Sequence, residues 1–419
     1  MQTKINLVNL NNQNRPSFQN KGDFSTKAAK FFVKTQEDLK WTRFIQCEVT
    51  NLTPKAVFAR SAADISEQTF LELTEATLFF FAPAILGKFF KNAFSKLHPQ
   101  NIRESLGKHI VKNTDELIKD TSAVSKRALT TKAGVVLACA AIPAGEYALS
   151  FAKNLFTLKV FKKSDFNNIA NLNEDQKEDI KHQKFVEQSA YSHFKNFGLI
   201  SAGGLISGLA LAKYGHKSAA LQKFSEALLQ PGAQISKGLE KIGLKSEGTK
   251  KFLKRYITPD FDTSRGKLSL SKGQLLISTV VGLFGYSAAG RDRGKLDQLE
   301  VWTRVPLVVF YTVFGSSMFE HVFKNHLLKN NKYPHFIKKE NGEFKPLPSL
   351  KDIEKLASAE SLKNRTKQGA EYSKLVKQKA LILGVPYAFT LVFFGFLLAG
   401  ISRLWTQYRY DRTAERLKG

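Results

Sequence analysis

Only two of the 419 residues are cysteine, Cys47 and Cys139. Two cysteines cannot build a disulfide framework, and neither has a His or Cys neighbour at metal-ligand spacing. Cys139 lies in an apolar run and reads as a small buried side chain. Acid is short as well: 36 Asp and Glu stand against 64 Lys and Arg, a formal charge of +28. Arg is the minority cation, 15 against 49 Lys. Bidentate reading of phosphate and guanine favours Arg, whereas Lys acts as a diffuse point charge. With no zinc-finger spacing, RNP-like aromatic motif or RGG tract, nucleic acid is not an expected partner. Anionic lipid headgroups and acidic proteins remain as partners for the charge. An apolar leader is also missing. The first 22 residues lack acid but hold no hydrophobic core, so residues 1–68 read as a flexible polar tail with short helices rather than a secretory signal.

What the chain does have is apolar length. Between Lys379 and Arg403 lie 23 residues without a formal charge. Six apolar segments stand out, 69–90, 133–152, 196–212, 273–290, 301–323 and 380–402. Lys-rich, helical-looking stretches over 91–132, 213–272 and 320–379 separate them. A mean hydropathy of −0.24 fits that alternation of apolar spans and polar loops. The charge-free centre of the first segment runs only from Ala76 to Gly87. Twelve helical residues rise about 18 Å against a hydrocarbon core of about 30 Å. That segment either spans with snorkelling ends or dips into one leaflet as a re-entrant or interfacial helix.

A large soluble α-protein can hold one or two such runs in its core. Five or six, each closed by Lys or Arg, do not fit inside one soluble core. The last run ends in Arg403, Trp405, Tyr408, Arg409, Tyr410 and Arg412, the aromatic and cationic mixture that a headgroup region selects. The expected fold class is therefore all-α, a polytopic integral membrane helical bundle of five or six spans over 69–419 with amphipathic cytoplasmic helices.

Charge asymmetry orients it. Taking the last five segments as spans places 46 Lys and Arg on one side and 17 on the other, and the positive-inside rule puts the 46 in the cytoplasm. Six spans leave 36 against 27, a weaker bias. The cell membrane, of the bacterial inner-membrane kind, is the expected location, with the mitochondrial inner membrane as the alternative.

The loops carry their own pattern. Gln230-Pro231-Gly232 breaks the 213–272 loop into two helical stretches. Ile235, Leu239 and Ile242 then recur at i, i+4, i+7 while Lys237, Lys241 and Lys245 fall on other faces. With Lys250, Lys251, Lys254 and Arg255 these make a set of basic residues expected to face lipid, unless the helix packs on the rest of the protein instead. Ser349 and Asp352 form a capping signal for a charged helix expected to run straight into the last span.

Two features could carry chemistry or assembly. Glu146, three residues after Pro143, is the only acid well inside an expected span and is a candidate intramembrane ionisable group. It lies about 10 Å of helical rise from Lys153, so an interfacial role competes. Gly198, Gly204 and Gly208 give the third segment a small-residue face, expected to form a helix seam within the fold or a homo-oligomer contact. His321 and His326, at i, i+5, do not share a helical face, so no metal is expected there. No catalytic constellation and no cofactor motif is present. The function expected is a non-enzymatic multi-pass membrane scaffold or interaction protein. A solute or ion transporter or pore using Glu146 and the glycine-rich helix is the alternative.

Overall fold

The computed structural model describes residues 24–37, 49–172, 177–243, 246–263, 266–340 and 342–418. Cys47, Lys245 and the part of the expected tail before residue 24 lie outside them. Of the described residues about 82% are helical, with almost no sheet. In chain order, α1 (Phe24–Glu37) and α2 (49–57) precede α3 (Ala62–Phe80) and α4 (Ala82–Ser95). Residues 62–68 are thus the first turns of α3, capped by Ser61, whose side chain accepts from the Asp64 amide. Helices α5 (Gln100–Ile110) and α6 (Thr114–Lys119) lead into α7 (Ala123–Ala138) and α8 (Ala141–Phe161). After α9 (Phe166–Ile169) comes the longest helix, α10 (Ile180–Tyr214), then α11 (Ala219–Leu229), α12 (Pro231–Lys241) and α13 (Glu247–Tyr256).

Helix α14 (Lys272–Arg293) opens with a Ser271–Gln274 capping box, and Gly294, at φ +133°, turns the chain back into α15 (Lys295–Phe310). A wide π turn, Tyr311–Gly315, joins α15 to α16 (Ser316–Lys329). A short hairpin of β1 (Lys339–Glu340) and β2 (Glu343–Phe344) follows, then α17 (Leu350–Asn364) and α18 (Gln368–Phe389). A second π turn, Thr390–Leu397, leads into α19 (Leu398–Lys418).

Among the described residues five helices are long and apolar enough to cross a membrane: Ala123–Phe161, Ile180–Lys217, Lys272–Arg293, Lys295–Lys329 and Gln368–Thr413. The first apolar segment is broken. Helices α3 and α4 bend by 42° at Phe81, with proline in the first turn of α4, so the pair is one broken span or a re-entrant loop. Its uncharged centre is too short for an unbroken crossing, and the bend divides it.

The Ser349–Asp352 capping box forms as the sequence suggests. The helix it starts does not run into the last span, however. Arg365 adopts a left-handed conformation at φ 53°, ends α17, and the chain restarts at Gln368.

The chain divides into two compact units, Met1–Thr42 with Phe319–Ala388, and Arg43–Met318 with Phe389–Gly419. The smaller unit packs Ile353 and Ala357 of α17 against Leu375 and Val376 of α18, with Phe336, Ile337 and Ala29 closing the cluster. The core of the larger unit is built by Phe94, Leu106, Leu129, Val135, Ile142 and Leu211. At its edge the buried His98 ring sits 3.0 Å from the Thr131 hydroxyl, with an Arg127 amino group 3.4 Å from its other nitrogen. Burial, with Arg127 and His216 close by, holds its pKa down at about 4 and the ring neutral.

Candidate functional site

Helices α3, α8, α14, α15 and α19 bury a cluster of charges in the larger unit. It starts from α3, which carries Asp64, Glu67, Glu72 and Glu75 and no cation in 19 residues. Its partners come from other elements. Glu67 is held by Arg293 of α14 at 2.7 Å, Lys153 of α8 at 3.1 Å and the Thr157 hydroxyl at 2.7 Å. Arg293 also reaches Asp297 of α15 at 3.1 Å and the Asn154 carbonyl oxygen at 3.2 Å. Arg403 of α19 bridges Asp64 at 3.1 Å and Glu300 of α15 at 3.0 Å, and Arg60 binds the same Glu300 at 3.2 Å. The guanidiniums of Arg60 and Arg293 lie 5.2 and 5.9 Å from the centre of the Phe166 ring.

A second tier lies deeper along the helices. Glu146, Tyr286 and Arg304 are each seven residues from Lys153, Arg293 and Asp297 on α8, α14 and α15 respectively, about 10 Å of helical rise. There Lys55 of α2 pairs with Glu72, and the Tyr286 hydroxyl donates to Glu75. Lys55, Glu72, Glu75, Tyr286, Glu300 and Arg304 line a cavity of about 100 Å³. Glu146 is 2% exposed and lies within electrostatic reach of Glu75. It is therefore a buried acid with a second carboxyl close by. Its Oε1 makes no hydrogen bond among the described residues, and neither does the fully buried Ser150 hydroxyl one turn further along α8.

The second of the two π turns lines this cavity, and the first packs against the second. Each follows a proline, Pro306 by five residues and Pro386 by four. Tyr311 stacks on Phe394 at 3.6 Å and its hydroxyl meets Thr390 at 2.5 Å. Phe394 and Gly395 form part of the cavity wall. A Cβ on Gly395 would meet the Thr50 carbonyl oxygen at 2.7 Å, so glycine there admits α2 and with it Lys55.

The glycines separate into two groups. A Cβ on Gly208 would sit 2.4 Å from the Gly134 carbonyl oxygen, and one on Gly204 2.5 Å from that of Leu137. Both therefore face α7 within the chain. Gly198 has nothing within 4 Å of a Cβ.

Of the basic residues, Lys237, Lys241, Lys251, Lys254 and Arg255 are exposed on α12 and α13. Lys254 binds Asp115, and Lys250 is held between Glu240 and Glu247, so these two are partly neutralised by the protein. Among the described residues no three His, Cys, Asp or Glu side chains converge as a metal site.

Sequence reading missed the tiered cluster. It assigned Arg403 to the headgroups and did not single out Arg293, yet both are buried against carboxylates. The available signal was the acid-only helix α3, whose Asp64, Glu67 and Glu75 fall on one face and require cations from elsewhere. Comparison with protein-family models, curated proteins and solved structures finds no match.

Proposed function

We propose that this is a multi-pass membrane protein that works by binding, with its Lys-rich helical face engaging anionic lipid headgroups. The supporting observation is the pair α12 and α13. The two are pinned together at Gly232, whose amide donates to the Ile257 carbonyl at 2.9 Å and where a Cβ would collide with the Leu253 carbonyl oxygen. They leave Ile235, Ile242 and Phe252 exposed beside Lys237, Lys241, Lys251 and Arg255. Apolar side chains next to cations on one short amphipathic element suit the boundary between headgroups and acyl chains. The element also lies against an apolar helix, since Phe252 and Tyr256 meet the Phe314 ring at 5.9 and 4.8 Å. The five apolar helices support the membrane itself. In Gln368–Thr413 only 11% of the most apolar window is buried, which leaves Val392, Leu397, Ile401 and Leu404 uncovered. Such a surface in water would be a liability to aggregation, whereas in lipid it is solvated.

The full-length protein in detergent micelles should enrich a labelled anionic phospholipid over a zwitterionic one, with the enrichment falling as salt rises. Replacing Lys237, Lys241, Lys251 and Arg255 with Gln should weaken that binding about fivefold per cation, from roughly 1 kcal/mol each. Enrichment unchanged in the fourfold variant would refute the lipid reading, and salt-insensitive enrichment would do the same. A second reading, an ion or solute transporter, is favoured by one observation: the deeper tier of charge encloses a cavity instead of closing on itself.

A further inference from the structure

We propose that Glu75, Glu146, Tyr286 and Ser150 form a binding site for one monovalent cation, a proton or an alkali ion. Charge balance is the first argument. The cluster gathers seven carboxylates, on Asp64, Glu67, Glu72, Glu75, Glu146, Asp297 and Glu300. It holds six cations, Lys55, Arg60, Lys153, Arg293, Arg304 and Arg403. Five of the carboxylates lie in direct ion pairs with those side chains. The other two, Glu75 and Glu146, lie near one another, and no direct ion pair reaches either among the described residues. One negative charge is left over where dielectric screening is weakest, and an uncompensated buried charge is too costly to persist without a counter-ion.

Geometry is the second argument. Glu146 Oε1 and Ser150 Oγ are buried, one turn apart on the same face of α8, and neither has a hydrogen-bond partner among the described residues. That face looks at α14, where a Cβ on Gly285 would sit 3.1 Å from Ser150 Oγ and one on Gly282 would lie 3.8 Å from the Glu146 Cβ. Glycine at these positions lets α14 approach α8 closely, a Cβ on Gly285 meeting the Tyr147 carbonyl oxygen at 2.7 Å, and so brings the α8 face beside Tyr286, whose hydroxyl already donates to Glu75. Two carboxylates and two hydroxyls are hard oxygen donors suited to a small hard cation, and the set contains no nitrogen or sulfur ligand. The charged groups lining the adjoining cavity beside Glu75 are Lys55 from α2, Glu72 on α3, Lys153 from α8 and Asp297, Glu300 and Arg304 from α15, with Tyr286 from α14 as a further titratable neighbour. The cavity they line is bounded by Glu75 and Tyr286, the two members of the set on its wall. This site would serve the transporter reading, but its occupancy can be measured without any flux and is independent of lipid binding.

The test uses the full-length protein in detergent at constant ionic strength and pH. Sodium, lithium or potassium chloride replaces choline chloride, and the melting temperature is read alongside the infrared carboxyl band. If the cation is an alkali ion, one of the three salts should raise the melting temperature by several degrees. Glu146→Gln, which removes the surplus charge and keeps the shape, should abolish that rise. Ser150→Ala and Tyr286→Phe should each weaken the apparent affinity about tenfold, and they carry the test if Glu146→Gln does not assemble. If the cation is a proton, no salt shifts the melting temperature, and the wild type shows a protonated-carboxyl band that disappears in Glu146→Gln. A wild type with neither a salt-dependent melting temperature nor a protonated-carboxyl band would overturn the proposal, as would either signal surviving unchanged in Glu146→Gln.

Discussion

Gly208→Val is expected to prevent assembly of the larger unit, whereas Gly198→Val should leave it intact. The two positions lie on the same helix, ten residues apart, and differ in what a side chain would meet. At Gly208 a Cβ is 2.4 Å from the Gly134 carbonyl oxygen and 3.4 Å from the Ala138 amide nitrogen. The contact is reciprocal, because a Cβ on Gly134 would be 2.4 Å from the Gly208 carbonyl oxygen. Backbone cannot rotate away as a side chain can, so the two helices must separate and lose their close-packed seam. In a bilayer such a seam depends largely on van der Waals contact, since lipid supplies no hydrophobic drive between helices. Overpacking of this kind costs about 1–3 kcal/mol for a single methyl, and the two extra methyls of valine increase it. Yield of monodisperse protein and its melting temperature measure the effect. Equal behaviour of Gly208→Val and Gly198→Val would show that α7 and α10 do not approach as described.

Arg293→Met should be the most damaging single change among the buried charges. Arg293 is 1% exposed and joins Glu67 to Asp297, so its loss leaves two buried carboxylates under-compensated, with Lys153 the main cation remaining on Glu67. Removing one partner of a buried pair costs about 3–5 kcal/mol, chiefly the penalty of the charge left behind. Adding Glu67→Gln to Arg293→Met should recover part of that loss, because the second change removes one stranded charge, and the recovery is read as non-additivity in a double-mutant cycle. A loss below about 1 kcal/mol for Arg293→Met would place this residue at an exposed surface instead.

The apolar helices were legible because each is a continuous run in sequence, and the runs at 133–152, 196–212, 273–290, 301–323 and 380–402 each lie in one of the candidate spans. Local punctuation was legible for the same reason: Pro231 starts α12 and Ser349 caps α17 within a few residues of the signal. The charge cluster was not, because each partner is remote in sequence. Arg403 meets Asp64 across 339 residues and Arg293 meets Glu67 across 226. Arg403, which reads as a headgroup anchor from its neighbours in sequence, is claimed by Asp64 of α3 once the chain is folded. One recurrence could have been read directly. Val305-Pro306 is followed by Phe314-Gly315, and Val385-Pro386 by Phe394-Gly395, at identical spacing. Each copy leads into a π turn, and Tyr311 of the first stacks on Phe394 of the second.

The central claim is that the apolar helices cross a membrane with the Lys-rich stretches on its cytoplasmic face. Single cysteines at Lys237, Lys355 and Thr413, all exposed positions, test it most directly. They are placed in a chain whose Cys47 and Cys139 have been replaced, and an impermeant thiol reagent is applied to intact cells. Lys237→Cys and Lys355→Cys should label only after the cells are opened, and Thr413→Cys should label in intact cells. Protection of all three positions, or labelling of Lys237→Cys and Lys355→Cys in intact cells, would contradict it.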